Sequence, residues 1–179
     1  MTVRSGTSTL RRAADAARRE KQAYTQGEDR PVGSFLAVTG VYGAVVAGLA
    51  GLVRASHREL PERLSVGDLA LMTVATHRLS RTLAKDPVAS PLRAPFTTFA
   101  GTSGEAELHE EVRGDGARHA VGELLTCPFC LAQWVGTGFV FGYVFAPRAT
   151  RLVAGAFTIV AGSDALQYAY AALQSTAED

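Results

Sequence analysis

Lysine, cysteine and net charge are all scarce in this chain of 179 residues. Basic side chains number 18 and acidic ones 17, and only Lys21 and Lys85 among the basic residues are lysines. This balance leaves no strong net field to attract a polyanion, and aromatic residues are not interleaved with the basic ones, so we expect no nucleic-acid partner. The two cysteines, Cys127 and Cys130, are too few for the disulfide framework of a small secreted protein.

Motifs of the common enzyme classes are also missing. The chain contains no glycine-rich phosphate loop, no Gly-x-Ser-x-Gly nucleophile elbow, no His-Glu-x-x-His metal motif and no paired catalytic carboxylates. The charged residues at the N-terminus are not followed by an apolar core, so we expect no signal peptide. These absences favour a non-enzymatic protein.

Long uncharged runs are what the chain has in abundance. Residues 33–53 carry no charge over 21 positions, and a helix needs about 20 apolar residues to cross the hydrocarbon core of a bilayer. Residues 120–146 and 152–173 form two further apolar runs, whereas residues 66–85 are apolar in their first half and basic in their second. The sequence therefore predicts an all-α integral membrane bundle of about four helices, with three spans and one amphipathic or spanning helix.

Polar segments surround and divide these runs. Residues 1–32 are expected to form a polar, partly helical N-terminal arm, residues 33–173 a transmembrane helical domain with a flexible loop at 97–118, and residues 174–179 a polar tail. If the amphipathic helix spans, both termini and the long loop share one side, with eleven Arg and Lys residues against five on the other. Because cytoplasmic segments are enriched in Arg and Lys, we expect a multi-pass protein with a cytoplasmic N-terminus.

Small residues recur four positions apart within the predicted spans, in the runs Gly40/Ala44/Gly48, Ala47/Gly51 and Gly138/Gly142. This spacing lets helices approach each other closely in lipid. Packing within the chain is the favoured interpretation, and a homo-oligomer or a partner membrane protein is the alternative. The lipid bilayer is an expected contact in both cases.

The segment Cys127-Pro128-Phe129-Cys130 is the feature with the most specific chemistry. Proline has no backbone N–H and is best tolerated in the first turn of a helix, so a helix is predicted to begin near Cys127, with Thr126 or Cys127 as its cap. A thiol at a helix N-terminus has a lowered pKa, which would make Cys127 the more reactive of the two.

Several roles remain open for this pair of thiols. Simple packing is favoured because free cysteines are among the most buried residues. A redox pair or an acylation site are alternatives, and so is a zinc or iron site at Cys127 and Cys130 completed by His119 and Glu123. Those four residues would share one helix face only if the helix continued through Pro128.

Basic residues are grouped in the second half of the amphipathic helix. Arg78, Arg81 and Lys85 are spaced three and four apart and form one stripe, and Asp86 and Arg93 follow. The basic residues of this group are candidates for contact with lipid phosphate or another anion. Ordinary interfacial anchoring with local ion pairs is the favoured interpretation.

Asp164 and Gln167 place polar groups in the middle of the last predicted span. A carboxylate at such a position is costly in lipid and usually faces the interior of a bundle. His77 and Arg78 are its candidate partners. A structural pair between helices is favoured over a proton or ion pathway, because one acidic residue does not make a pathway.

Two stretches of the sequence together resemble a known family. Residues 77–96 (HRLSRTLAKDPVASPLRAPF) and residues 113–134 (RGDGARHAVGELLTCPFCLAQW) are similar to domain-of-unknown-function family 1360, a group of small bacterial membrane proteins. The resemblance covers roughly residues 65–173 and implies no activity, cofactor or substrate. The positions it singles out, without giving them a role, are Arg78, Asp86, Arg93, Glu123, Cys127, Cys130 and Trp134.

The sequence as a whole predicts a multi-span protein of the bacterial cytoplasmic membrane with a non-enzymatic structural or interaction role. The alternative, from a different functional class, is a thiol-active membrane protein that uses Cys127 and Cys130 for redox exchange or metal binding.

Overall fold

The computed structural model describes residues 4–26 and 31–178, with side chains over 11–26 and 31–177. Residues 27–30, within the predicted N-terminal arm, lie outside this description. The chain is mostly helical, at 77%. The elements in chain order are α1 (Arg4–Thr25), α2 (Val32–Ala55), α3 (Val66–Lys85), a 3₁₀ turn (Pro87–Ala89), α4 (Ser90–Arg93), β1 (Thr97–Gly104), β2 (Glu107–Val112), α5 (Gly116–Thr126), α6 (Pro128–Phe145) and α7 (Pro147–Glu178).

A β-hairpin corrects the all-α prediction. Strands β1 and β2 pair antiparallel, with register from Thr97 opposite Val112 to Gly104 opposite Glu107. The segment expected as a flexible loop at 97–118 therefore contains this hairpin and the start of α5. The glycines and glutamates that suggested an irregular loop instead supply ladder positions and side chains that pair with distant arginines. Such pairing cannot be read from local composition.

A helix break divides the run predicted as one span at 120–146. Helix α5 ends at Thr126, and Cys127 has extended dihedrals of φ −101° and ψ 104°. Helix α6 then begins at Pro128, which confirms the predicted helix start near Cys127 and corrects the prediction of one continuous span. Proline is the cause, since its ring disfavours the helical conformation in the residue before it.

Helices α3, α6 and α7 form the centre of the bundle. Its core consists of Met72 and Ala75 from α3, Phe139 from α6 and Ala154 from α7. Helix α2 lies at the periphery against α5 and α6. The core is small for a chain of this length, so most of the apolar side chains of α2 and α7 lie on outward-facing surfaces.

The packed helices alternate in direction. The start of α3 lies beside the end of α6 and the start of α7, where Asp68 contacts Tyr143 and Arg151. Further along, Thr158 of α7 donates a hydrogen bond to the carbonyl of Leu71. Helix α3 therefore runs parallel to α7 and antiparallel to α6.

Helix α2 runs parallel to α6. Tyr42, near the middle of α2, contacts Gln133 in the first half of α6, and four residues further along each helix Val46 and Thr137 line one groove. The four long helices therefore alternate in direction in chain order. The hairpin, α5, the start of α2 and the later part of α7 lie toward one end of the bundle, and the connections after α2 and α6 lie toward the other.

A polar cluster fastens that second end. Ser65 caps α3, because its Oγ accepts the Asp68 backbone N–H at 3.0 Å and donates to the Asp68 carboxylate at 2.8 Å. That carboxylate also accepts a hydrogen bond from Tyr143 at 2.8 Å and pairs with Arg151 at 2.7 Å. Serine is a common helix cap, whereas the contacts with Tyr143 and Arg151 join segments that are far apart in the sequence.

Three helices are long and apolar enough to cross a membrane by length and composition: Val32–Ala55, Pro128–Phe145 and Pro147–Ala177. The glycines within them correct the prediction of packing inside the chain. A Cβ added at Gly40, Gly48, Gly51 or Gly138 would meet nothing within 4 Å. Among the glycines of the pattern, only Gly142 lies close to another side chain, that of Thr150. Most of the small-residue pattern therefore faces away from the rest of the described chain.

Candidate functional site: a thiol-lined cleft and an ionic cavity

The two cysteines lie at the N-terminus of α6. Cys127 is the capping residue, and its Sγ accepts the backbone N–H of Cys130 at 3.2 Å. Pro128 occupies the first helical position and needs no hydrogen-bond partner for its nitrogen. Cys127 is partly buried and Cys130 is exposed, and both are free thiols. Each thiol can therefore reach the same small region at the helix start.

A cavity of about 570 Å³ opens beside the thiols. We call it the thiol cleft, and it lies between α2, α5 and α6. Phe35 and Tyr42 line it from α2, Glu123 from α5, and Cys130 and Trp134 from α6, together with Cys127 at the junction and Val38, Thr39, Ala120, Leu124, Thr126 and Gln133. The volume is within the range of small-molecule sites, which is about 300–1,000 Å³.

Aromatic and polar contacts hold α2 against this cleft. The rings of Tyr42 and Trp134 meet edge to face, with centroids 5.1 Å apart and an interplanar angle of 70°. The Tyr42 hydroxyl accepts a hydrogen bond from Gln133 Nε2 at 2.7 Å and lies 2.8 Å from Thr137 Oγ1. Trp134, which the family resemblance singled out without a role, therefore forms part of the wall of the cleft. Tyr42 could not be singled out from the sequence, because one tyrosine within an apolar run is ordinary in a span.

A second groove, of about 390 Å³, continues from the thiol cleft along α2 and α6. The two cavities share Tyr42 and Gln133 in their linings. The groove then runs past Val46 on α2 and Val140 on α6, into the C-terminal halves of both helices. We call it the tail groove. The thiol cleft is therefore the wider end of a longer channel on the bundle surface, and it is the end that holds both thiols and Glu123.

His119 and Glu123 do not complete a metal site with the thiols. His119 Nε2 lies 3.0 Å from Glu123 Oε1, and its Nδ1 lies 3.2 Å from the carbonyl of Gly114, so both ring nitrogens are engaged. Over the part of the chain that the structure describes, no group of three or more His, Cys, Asp or Glu residues is arranged to hold a metal ion. The zinc or iron alternative thus finds only the two thiols in place.

A separate cavity, of about 490 Å³, lies between α3, α7 and the hairpin. We call it the ionic cavity. Arg78 is its central residue: Nη2 lies 2.9 Å from Asp86 and Nε lies 2.8 Å from Asp164. The buried Nε–H makes no hydrogen bond of good geometry among the described residues. Its contact with Asp164 is therefore a close ion pair and not a directed hydrogen bond. Gln167 lines the same cavity.

The basic stripe of α3 is largely paired with carboxylates of the same chain. Arg81 pairs with Glu107 at the tip of the hairpin. Arg78 contacts two carboxylates, as described above, while Lys85 is partly exposed. This arrangement is the local ion pairing that the sequence favoured over contact with external anions, although Glu107 lies in a strand and not on the same helix.

Arg93 corrects the prediction of a lipid or anion contact most directly. Its side chain is 0% exposed and pairs with Glu110, which is 6% exposed. Nη1 also donates to the carbonyl of Leu83 at 2.8 Å and Nη2 to that of Asp86 at 3.1 Å. An arginine enclosed in this way cannot reach a lipid headgroup. Its role is to join the end of α3 to the hairpin.

Comparison with known proteins places these features in a family. The chain matches the family described as "Protein of unknown function (DUF1360)" over residues 71–170. A protein of Bacillus subtilis (strain 168) named "Sporulation protein YjcA" is 29% identical over 86 residues, which are 46% of this chain and 73% of that protein. No solved structure matches the chain. Because the family match covers more than half of the chain, including both cysteines and the ionic cavity's Arg78, the chain belongs to the DUF1360 family of proteins of unknown function.

Proposed function

We propose that this chain is an integral protein of the bacterial cytoplasmic membrane, with four crossings and a structural or interaction role. The observation that carries the proposal is the outward apolar surface of its long helices. In the most apolar stretches of α2, α6 and α7, only 6%, 11% and 6% of the residues are buried inside the protein. A lipid environment is what would cover these faces.

The exposed apolar area of these helices is too large for a monomer in water. Leu36, Leu152 and Ile159 are 72–77% exposed, and burying one such side chain is worth about 1.5–3 kcal/mol. Monomers in water rarely expose a continuous apolar patch of more than a few hundred Å². The exposed apolar side chains of α2 and α7 are spread over many turns of both helices. A bilayer removes this cost without requiring a partner protein.

The alternating helix directions support a fourth crossing by α3. This helix has 20 residues, which corresponds to about 30 Å at 1.5 Å per residue. It lies between α6 and α7, so its basic second half reaches the ionic cavity and not the lipid. With α3 crossing, the side that holds the hairpin has the larger number of Arg and Lys residues, and this favours a cytoplasmic position for that side.

Cysteine accessibility tests both the crossing and the orientation. In a Cys127→Ser/Cys130→Ser background, Ser56→Cys reports the connection before α3 and Ser103→Cys reports the hairpin after it; both serines are exposed. We expect an impermeant maleimide to label Ser56→Cys on intact spheroplasts and Ser103→Cys only after permeabilisation. Labelling of both on intact spheroplasts, or of neither, would contradict a crossing by α3. Loss of the protein from the membrane pellet in alkaline carbonate would contradict integral insertion.

A thiol-active role is the second candidate, and one specific observation favours it. A helix N-terminus stabilises a thiolate, and here the Cys130 N–H points at the Cys127 sulfur. Both thiols line the same cleft. Mild oxidation with diamide is the test: we expect Cys127 and Cys130 to join within one chain, seen as the loss of two maleimide-reactive thiols. Two thiols that stay reduced would leave packing as the better account of the pair.

A further inference from the structure

The thiol cleft and the tail groove together have the shape of a site for one particular class of molecule. A lipid-soluble ligand with a compact polar head and a long apolar tail would place the head at the thiols and the tail between α2 and α6. The cleft offers about 570 Å³ and the groove about 390 Å³, joined at Tyr42 and Gln133. The whole channel lies along two helices that are apolar enough to cross a membrane.

The lining of the wider end narrows the chemistry of the head. Trp134 and Phe35 provide flat apolar walls suited to a ring. The Gln133 amide carries two hydrogens, and only one is needed for its bond to Tyr42. A ring carbonyl could therefore accept a hydrogen bond at the point where cleft and groove meet. A flat ring with carbonyl oxygens and an isoprenoid tail is the structure of a lipid quinone.

The thiols give such a ligand a reaction. We propose that the cleft binds a lipid quinone and that Cys127 and Cys130 reduce it to the quinol while forming a disulfide. This inference rests on the thiol-active candidate function and adds its electron acceptor. Two thiols and one quinone give one disulfide and one quinol, so two electrons and two protons move from sulfur to the ring and its oxygens.

The steps follow from the positions of the two sulfurs. Cys127, whose sulfur accepts the Cys130 N–H, is the nucleophile, and its thiolate adds to a ring carbon to form a C–S bond. The Cys130 thiolate then attacks the Cys127 sulfur, forming the S–S bond and breaking the C–S bond. The electron pair stays on the ring, whose two oxygens take up protons. Glu123 lines the cleft and contacts the partly exposed His119, a route by which thiol protons can exchange with water.

The experiment uses the full chain in nanodiscs, reduced and then freed of reductant without oxygen. A benzoquinone with a ten-carbon tail is the probe, and quinone absorbance and free thiols are followed together. We expect the wild type to consume one quinone per two thiols lost, with saturable kinetics. Cys127→Ser should abolish the consumption, and Cys130→Ser should stop at one covalent quinone adduct on Cys127. A covalent quinone adduct without disulfide in the wild type would overturn the proposal, because it would indicate ordinary arylation of an exposed thiol.

A matched pair of variants tests the groove. Val140→Trp fills the tail groove on α6, and Val160→Trp places the same bulk on α7 outside it; the two valines are 48% and 42% exposed. We expect Val140→Trp to raise at least tenfold the quinone concentration that half-saturates the rate of thiol loss, with Val160→Trp unchanged. Equal behaviour of the two variants would overturn the assigned site.

Failure of the quinone proposal is distinguishable from failure of the thiol-active function. If diamide closes the disulfide but the quinone does not, the quinone is the wrong acceptor and the thiol-active function stands. If neither oxidant removes the thiols, both fall together.

Discussion

Replacing Arg93 with methionine should loosen the attachment of the β-hairpin to the bundle. Methionine keeps much of the side-chain length but removes every donor. The change leaves Glu110 as a buried carboxylate without its cation and removes the donors to the carbonyls of Leu83 and Asp86. All three groups are held by one side chain that is 0% exposed, so water cannot replace the lost contacts without the hairpin opening.

The magnitude follows from the burial of both partners. Removing one member of a buried ion pair costs about 3–5 kcal/mol. Each 1.36 kcal/mol corresponds to a tenfold change in an equilibrium constant, so the opening equilibrium of the hairpin should rise about 10²- to 10⁴-fold. Amide hydrogen exchange, followed by mass spectrometry on the segment Thr97–Gly104 and its partner strand, measures this opening directly in detergent or nanodiscs.

A second arginine provides the control. Arg113 is exposed and donates one hydrogen bond, at 2.7 Å, to the carbonyl of Ala94. Arg113→Met should change the opening free energy by about 0.5 kcal/mol or less. The double variant Arg93→Met/Glu110→Gln should be less destabilised than the sum of its single variants, because it removes the orphaned charge. Equal exchange rates in the Arg93 and Arg113 variants would refute the argument from burial.

Two further substitutions test the packing and the ionic cavity. Gly122→Ala adds a Cβ only 2.5 Å from Val112 Cγ1, so an overpacking cost of about 1–3 kcal/mol should outweigh the gain in helix propensity. The control Gly138→Ala, in open space, should not lower the melting temperature. Equal melting temperatures of the two variants would contradict the close approach at Gly122. Asp164→Asn should lower stability by less than about 1 kcal/mol, because Asp164 is 40% exposed and Arg78 keeps its second carboxylate. Proton uptake by proteoliposomes that disappears in Asp164→Asn would instead point to a transport role.

Many residues of the candidate site could be identified from the sequence, but their arrangement in space could not. Cys127, Cys130, Glu123 and Trp134 were all singled out, and the helix start at Pro128 was predicted from the chemistry of proline. Their common cleft was not predictable, because a third of its lining residues come from α2. The partner that completes it, Tyr42, lies 91 positions before Gln133 in the chain.

The ionic residues show the same division. Arg78 was one of two predicted partners of Asp164, since a carboxylate within an apolar span is costly without a cation. Arg93 looked like a surface residue because it follows a basic stripe in a polar segment. Its burial depends on Glu110, which lies in a strand that composition alone suggested was irregular.

The sequence by itself determined the features that depend on neighbouring residues along the chain. The length of its uncharged runs determined which helices are apolar enough to cross a membrane, and Ser65 and Pro128 determined where two helices begin. The tertiary structure alone decided which charges are neutralised, because pairs such as Asp68 and Arg151 are 83 positions apart. Apolar length and capping act within a few residues, whereas ion pairs and cavities exist only once distant segments meet.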